Sequence, residues 1–215
     1  MMHLNQKHPK VFYGWYIVGA SLLIDLYISG GVSLGFTAVF EPIAKEFGWS
    51  YTQISLAVSL QGLEVGILAP LAGFLVDRWG PRRMVFGGAL IVSLGLMLLS
   101  RVSSLGMFYG AFALIAIGMS ACSGTVLMTA VANWFRRKAG IATGIALSGV
   151  GLGGLMVPLV TMLVDTFTWQ TAMFSFGLGM LAIGLPLSLL LRHRAEQYGY
   201  RPDGEESNPM VLVKV

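Results

Sequence analysis

The sequence predicts an all-α membrane protein of six transmembrane helices arranged as a 3+3 inverted repeat. Three observations predict it: an apolar, charge-poor composition, six long apolar runs bounded by charges, and a polar pattern within the runs that recurs after the third. Of the 215 residues, 55% are apolar and 11% charged, and the mean hydropathy is +0.74. A water-soluble domain carries roughly 25% charged residues, so a chain with less than half of that share is built for lipid. The same figures exclude a disordered chain. A single cysteine, Cys122, excludes a disulfide framework or a cysteine metal cluster.

A helix needs about 20 apolar residues to cross ~30 Å of hydrocarbon. Runs of that kind cover residues 15–39, 52–76, 84–100, 107–132, 139–164 and 170–191. The first follows Lys7 and Lys10, yet it outruns the ~7 to 15 residues of a signal-peptide core and no small-x-small cleavage site follows it. It is read as a retained span.

Placing the runs sorts the cations. Lys7, Lys10, Arg78, Arg82, Arg83, Arg136, Arg137, Lys138, Arg192, Arg194, Arg201 and Lys214 fall on one side, against Lys45 and Arg101 on the other. By the positive-inside rule both termini are cytoplasmic, with residues 1–14 and 192–215 as tails flanking a bundle of residues 15–191. The expected location is the cell (inner or plasma) membrane. The pI near 9.4 does not indicate nucleic acid, because the basic residues form short collars at helix ends and not one stripe. Anionic lipid headgroups are the expected neighbours of those collars.

The first span carries Asp25 near its middle, with Ser21, Ser29 and Ser33 on the same helical face. The second carries Glu64 with Gln61 one turn earlier, while Ser55, Ser59, Gly62, Gly66 and Gly73 form a different, small-residue face suited to close helix packing. In the third, the polar side chains are serines alone. The fourth has Cys122, Thr125, Thr129 and Asn133 at helical spacing, and the fifth has a packing ladder of Gly140, Gly144, Ser148 and Gly151. The sixth, beyond its boundary Gln170, again holds only Ser and Thr. The order inner, inner, outer thus occurs twice, as in transporters built from inverted repeats.

A charge at the bilayer centre costs roughly 2.5 to 3.5 kcal/mol on insertion scales, so two acids at mid-span require a reason. One reading makes Asp25, Glu64, Gln61, Ser29, Thr129 and Asn133 the lining of a proton and substrate cavity. The other has each acid bonding neighbouring Ser, Gln or backbone groups. No Lys, Arg or His lies inside a span to pair with either acid.

The string Gly73-Phe-Leu-Val-Asp77-Arg78-Trp-Gly80-Pro-Arg82-Arg83 resembles the signature loop of the major facilitator superfamily, G-x-x-x-D-R/K-x-G-x-R/K-R/K. Gly73 permits close backbone approach, Gly80 can take the left-handed conformation that ends a helix, and Pro81 blocks its continuation. The resemblance implies one half of a twelve-helix fold, the N-terminal six. It also implies a charge-relay latch between halves formed by Asp77, Arg78 and Arg82 or Arg83, whose partner helix would lie outside these six.

A second string runs from Asn133-Trp-Phe-Arg136-Arg137-Lys138 through Gly140, Gly144 and Gly149 to Gly151. It resembles the monocarboxylate and oxalate/formate transporter branch, as do Gly14-Trp15 and the segment Glu196 to Gly204. Two departures widen the expected substrate class. The basic residue that some animal monocarboxylate carriers place late in the first helix has no counterpart here, and Leu114 stands where other branches keep an Arg.

Gly149-Val-Gly151-Leu-Gly153-Gly154 matches a dinucleotide fingerprint, but lying inside a membrane run it is read as helix packing. His3, His8 and His193 lie outside the runs, and no string for metal, nucleophile or phosphate chemistry occurs. No cofactor, metal or enzymatic activity is expected. The resemblance implies a secondary active transporter that moves a small organic anion, such as a monocarboxylate, by proton-coupled alternating access. With six spans in place of twelve, the expectation is a truncated frame lacking its C-terminal half, ahead of a half-transporter that dimerises. The alternative is a non-transporting membrane scaffold.

Overall fold

A computed structural model describes residues 12–193. Six helices long and apolar enough to cross a membrane make up this region: α1 Gly14–Phe47, α2 Tyr51–Trp79, α3 Pro81–Leu99, α4 Leu105–Ala132, α5 Ala139–Thr166 and α6 Trp169–Leu190. The terminal strings, from Lys7 and Lys10 at one end to the Glu196 segment at the other, lie outside the described residues.

Turn chemistry separates the two ends of the bundle. At one end α2, α4 and α6 each begin with a side-chain cap. Ser50 Oγ accepts from Gln53 N at 3.2 Å while Gln53 Oε1 accepts from Ser50 N at 2.9 Å, a reciprocal capping box. Ser104 accepts from Met107 N and Thr168 from Thr171 N in the same manner. At the other end lie Arg78, Arg82, Arg83, Arg136, Arg137, Lys138 and Arg192, and only Gly80 separates α2 from α3. We refer to these as the capped and basic ends.

Helix α1 continues to Phe47, past the end of its apolar run at residue 39. The charges that end the run, Glu41 and Lys45, pair with each other at 2.7 Å on the exposed face. Meanwhile Phe36, Val39 and Ile43 keep the inward face apolar. A helical period therefore carries on where hydropathy drops.

The helices are irregular near mid-span. α1 opens into a π turn at Ile28–Leu34, α5 tightens to a 3-10 turn at Gly153–Met156, α6 has a π turn at Met180–Gly184, and α4 is interrupted between Ala121 and Gly124.

Packing follows the two-triplet design. The second helix of each triplet lies along the first helix of the other: α5 along α1 and α2 along α4, both parallel pairs. α3 packs on α4 and α6, while α1 and α4 meet in the middle. The tightest crossings are made by glycines. A Cβ on Gly118 of α4 would come 2.6 Å from Val92 N of α3, and one on Gly149 of α5 would come 2.5 Å from Leu22 O of α1.

Two expectations are corrected here. The packing residues Gly62, Gly66 and Gly73 of α2 and Gly140, Gly144 and Gly151 of α5 meet nothing within 4 Å among the described residues, and Ser148 is exposed. Close contact falls instead on Gly149 and Gly153 of the dinucleotide-like string, where the sequence also predicts helix packing. Within the described six-helix unit the outer positions are also taken by α2 and α5 and not by α3 and α6. The most exposed large apolar side chains are Ile67 of α2 and Leu155 of α5, both at 75%, because α2 and α5 flank the bundle while α3 and α6 cover each other.

Candidate functional site

At the α1/α5 seam, Gly149 lets the two backbones approach beside Asp25, and Gly153 does the same beside Ser29 and Gly30. Asp25 is 8% exposed and Ser21, one turn earlier, 0%. Among the described residues neither Asp25 Oδ2 nor Ser21 Oγ has a hydrogen-bond partner. Ser29 does not satisfy the acid: its hydroxyl donates to the Asp25 carbonyl oxygen at 2.6 Å and lies 3.4 Å from Gly149 O. Ser33, expected on the same face, is exposed, since the π turn rotates the helix between the two serines. Of the polar stripe of α1, Ser21 and Asp25 are thus buried while Ser33 is exposed.

The second acid occupies a different seam. Glu64 lies on α2, which packs along α4, and its Oε2 is buried without a partner. Gln61 does not bond it. Gln61 Nε2 instead donates to Met119 Sδ of α4 at 3.0 Å. Ser123, at the interruption of α4, also has a buried, unpartnered hydroxyl.

The structure does not gather the six cavity candidates into one chamber. Thr129 is half-buried, its hydroxyl donating to Thr125 O on its own helix at 2.9 Å, and Asn133 is half-buried at the end of α4. Cys122, placed on the same face by spacing, is turned away by the helix interruption, and its thiol donates to Val85 O of α3 at 3.5 Å.

A crevice of about 390 Å³ lies between α1, α5 and α6, lined by Leu23, Tyr27, Met156, Leu159 and Phe176 among others. The polar side chains in its lining are Ser175 and Tyr27, and Tyr27 Oη already donates to Phe176 O at 2.8 Å. Such a surface cannot hold an ionised solute.

In the signature loop Gly80 has φ +81 and ψ 155, a region essentially restricted to glycine. It lies beyond the αL conformation expected for a helix-ending glycine. A Cβ on Gly80 would come 3.3 Å from the imidazole of His193, just after α6, whose Nδ1 is buried without a partner among the described residues. Asp77, Arg78, Arg82 and Arg83 are exposed and form no ion pair among the described residues.

Sequence reasoning missed the groups that tie the ends together. At the capped end the Glu46 carboxylate accepts from Trp169 Nε1 at 2.5 Å and from Gln170 Nε2 at 2.8 Å, joining α1 to α6. At the basic end the fully buried Trp134 donates to Arg192 O at 3.1 Å, Tyr13 Oη donates to Leu190 O at 3.0 Å, and the Arg192 guanidinium covers the Tyr13 ring at 4.1 Å. Glu46 lies beyond the apolar run, and a partner more than a hundred residues away leaves no local signal. Among the described residues no group of three or more His, Cys, Asp or Glu could hold a metal ion.

A family model described as the Major Facilitator Superfamily matches residues 17–214. The oxalate:formate antiporter of Oxalobacter formigenes is 28% identical over 185 residues, 85% of this chain and 44% of that protein. Monocarboxylate transporter 13 of Bos taurus is 30% identical over 201 residues (87% and 46%), and monocarboxylate transporter 11 of Mus musculus 31% over 196 residues (86% and 41%). The chain spans a little under half the length of these relatives. With six membrane-length helices in two interlocked triplets and a family match over most of its length, the chain belongs to the major facilitator superfamily.

Proposed function

We propose that the chain works in the membrane as the N-terminal six-helix half of a secondary active transporter. It moves a small organic anion of the monocarboxylate or oxalate/formate kind by proton-coupled alternating access. The observation that carries this reading is the Asp25 carboxylate, enclosed at mid-membrane with an unpartnered oxygen beside the π turn of α1. An intramembrane acid without a counter-ion marks a proton or solute pathway by default, and π turns recur at functional positions. Similarity to an oxalate:formate antiporter and to monocarboxylate transporters supports the solute class. The basic end faces the cytoplasm under the positive-inside rule, with residues 1–14 and 192–215 on that side. Asp77, Arg78, Arg82 and Arg83 act as a latch toward a second six-helix unit.

The test is uptake of labelled monocarboxylates, oxalate and formate into proteoliposomes under an inward proton gradient, for wild type, Asp25→Asn and Asp77→Asn. Gradient-driven uptake lost in Asp25→Asn and slowed in Asp77→Asn is expected. Wild-type rates in both variants would sink the assigned roles.

One observation favours a second reading, a half-transporter or scaffold complete only as an oligomer. The small-residue stripes of α2 and α5, with Ile67 and Leu155 beside them, meet no partner among the described residues, and membrane helices associate through such stripes. Sedimentation of the purified chain distinguishes the readings. A stable monomer that supports no flux would favour the scaffold, and flux confined to the dimer fraction the oligomer.

A further inference from the structure

We propose that His193 is a positioning residue of the signature loop: its ring is the stop that fixes a one-residue hinge at Gly80, and so sets Asp77 and Arg78 against Arg82 and Arg83. The proposal deepens the latch reading above and rests on it for its role in transport, though not for its test.

Gly80 alone separates α2 from α3, and it serves both helices. Its N–H donates to Val76 O at 2.9 Å in the last turn of α2, and its carbonyl accepts from Met84 N at 3.4 Å in the first turn of α3. The charges of the loop are divided at this residue, with Asp77 and Arg78 in the end of α2 and Arg82 and Arg83 in the start of α3. Their mutual placement therefore depends on one φ and one ψ. Those angles are +81 and 155, and glycine has no Cβ to hold them there. The restraint must come from a neighbour.

Of residues 77–83 only Gly80 and Pro81 are buried, so the loop rests on the bundle through its hinge. The side chain at that point is His193. The three atoms nearest to a Cβ built on Gly80 all belong to it: Cγ and Nδ1 at 3.3 Å and its own Cβ at 3.4 Å. Nδ1 is buried without a partner among the described residues, so the ring meets the hinge by contact and not through a hydrogen bond from that nitrogen.

The ring is also held from behind. Tyr13 Oη, just before the start of α1, donates to Leu190 O at 3.0 Å, and Trp134 Nε1, just past the end of α4, donates to Arg192 O at 3.1 Å. Leu191 between them is fully buried, and the Arg192 guanidinium covers the Tyr13 ring at 4.1 Å. Residues 190–192 are thus a platform fixed to two other helices, and His193 carries its rigidity onto Gly80. A partner more than a hundred residues from the loop gives no signal in the loop's own string.

Two nitroxide labels across the turn read the hinge directly, by electron–electron distance measurement on the full chain in nanodiscs. Phe74→Cys on α2 and Phe86→Cys on α3 are exposed positions, as are Tyr51→Cys and Ser103→Cys for a reference pair at the capped end. The native Cys122 is buried. In His193→Ala the distribution across the turn is expected to become about twofold broader than in wild type, because an unrestrained glycine samples both signs of φ. His193→Phe keeps a flat ring without the buried nitrogen and is expected to hold the wild-type width. The capped-end pair is expected to stay unchanged in both. A wild-type width in His193→Ala, a width in His193→Phe equal to that of His193→Ala, or equal broadening at the capped end would overturn the proposal. If His193→Ala misfolds, Tyr13→Phe carries the test, since it removes one hydroxyl from the platform and keeps the ring. It is expected to broaden the pair across the turn alone, and a wild-type width would overturn the proposal. Broadening in His193→Ala beside wild-type uptake in Asp77→Asn would sink the latch reading and leave the stop standing.

Discussion

Gly149 lies against α1 directly beside Asp25: a Cβ built on it would stand 3.1 Å from Asp25 Cβ and 2.9 Å from Leu26 N. That contact encloses the carboxylate, since any side chain at residue 149 would hold α5 away from α1 and open the seam to solvent or lipid.

Gly149→Leu is therefore expected to destabilise the bundle by about 1 to 3 kcal/mol, the usual cost of forcing extra volume into a packed contact. Gly144→Leu, five residues earlier on the open face of the same helix, is expected to stay within about 0.5 kcal/mol of wild type. Thermal unfolding of the two variants in one detergent checks the contrast. Equal midpoints would show that α1 and α5 do not meet at Gly149.

Gly80→Ala places a Cβ at φ +81 and within 3.4 Å of the His193 ring. A cost of about 1 to 3 kcal/mol is expected from the backbone alone. The double variant Gly80→Ala with His193→Ala recovers only the steric part. A double variant as stable as wild type would mean that the turn is unstrained.

Glu46→Ala removes the acceptor of Trp169 and Gln170. Hydrogen bonds to a charged group are worth about 1.5 to 3 kcal/mol each when shielded and less at an exposed end. The expected outcome is local, with faster amide exchange over residues 36–47 and 169–173 and little change over residues 14–27. Unchanged exchange at the capped end would remove Glu46 from the account.

Orientation has a direct test, because the native Cys122 is buried and resists labelling in the folded protein. Ser103→Cys at the capped end is expected to react with an impermeant maleimide from outside the cell. Arg82→Cys at the basic end is expected to react only after permeabilisation. The reverse pattern would invert the proposed topology.

The number of spans was legible, and so were most helix ends, because a membrane helix must satisfy its backbone internally and face lipid with apolar side chains. Both conditions are written locally. The continuation of α1 to Phe47 escaped a hydropathy reading because Glu41 and Lys45 neutralise each other on the outer face. The glycines of α5 were harder. Gly140, Gly144 and Gly151 form one small-residue stripe and Gly149 and Gly153 another, with nothing in the spacing to say which meets a neighbour.

The sequence by itself determined the solvent, the six spans, the basic end and the mid-membrane depth of Asp25 and Glu64. Each of these depends on hydropathy and charge summed over about 20 neighbouring residues. Only the tertiary structure decided that the two acids lie in separate seams, that Gly149 and not Gly144 closes one of them, and that α2 and α5 are the exposed flanks. Helix association in lipid is selected by shape at close approach, and Asp25 meets its neighbour Gly149 across α1 and α5, three helices apart in the chain.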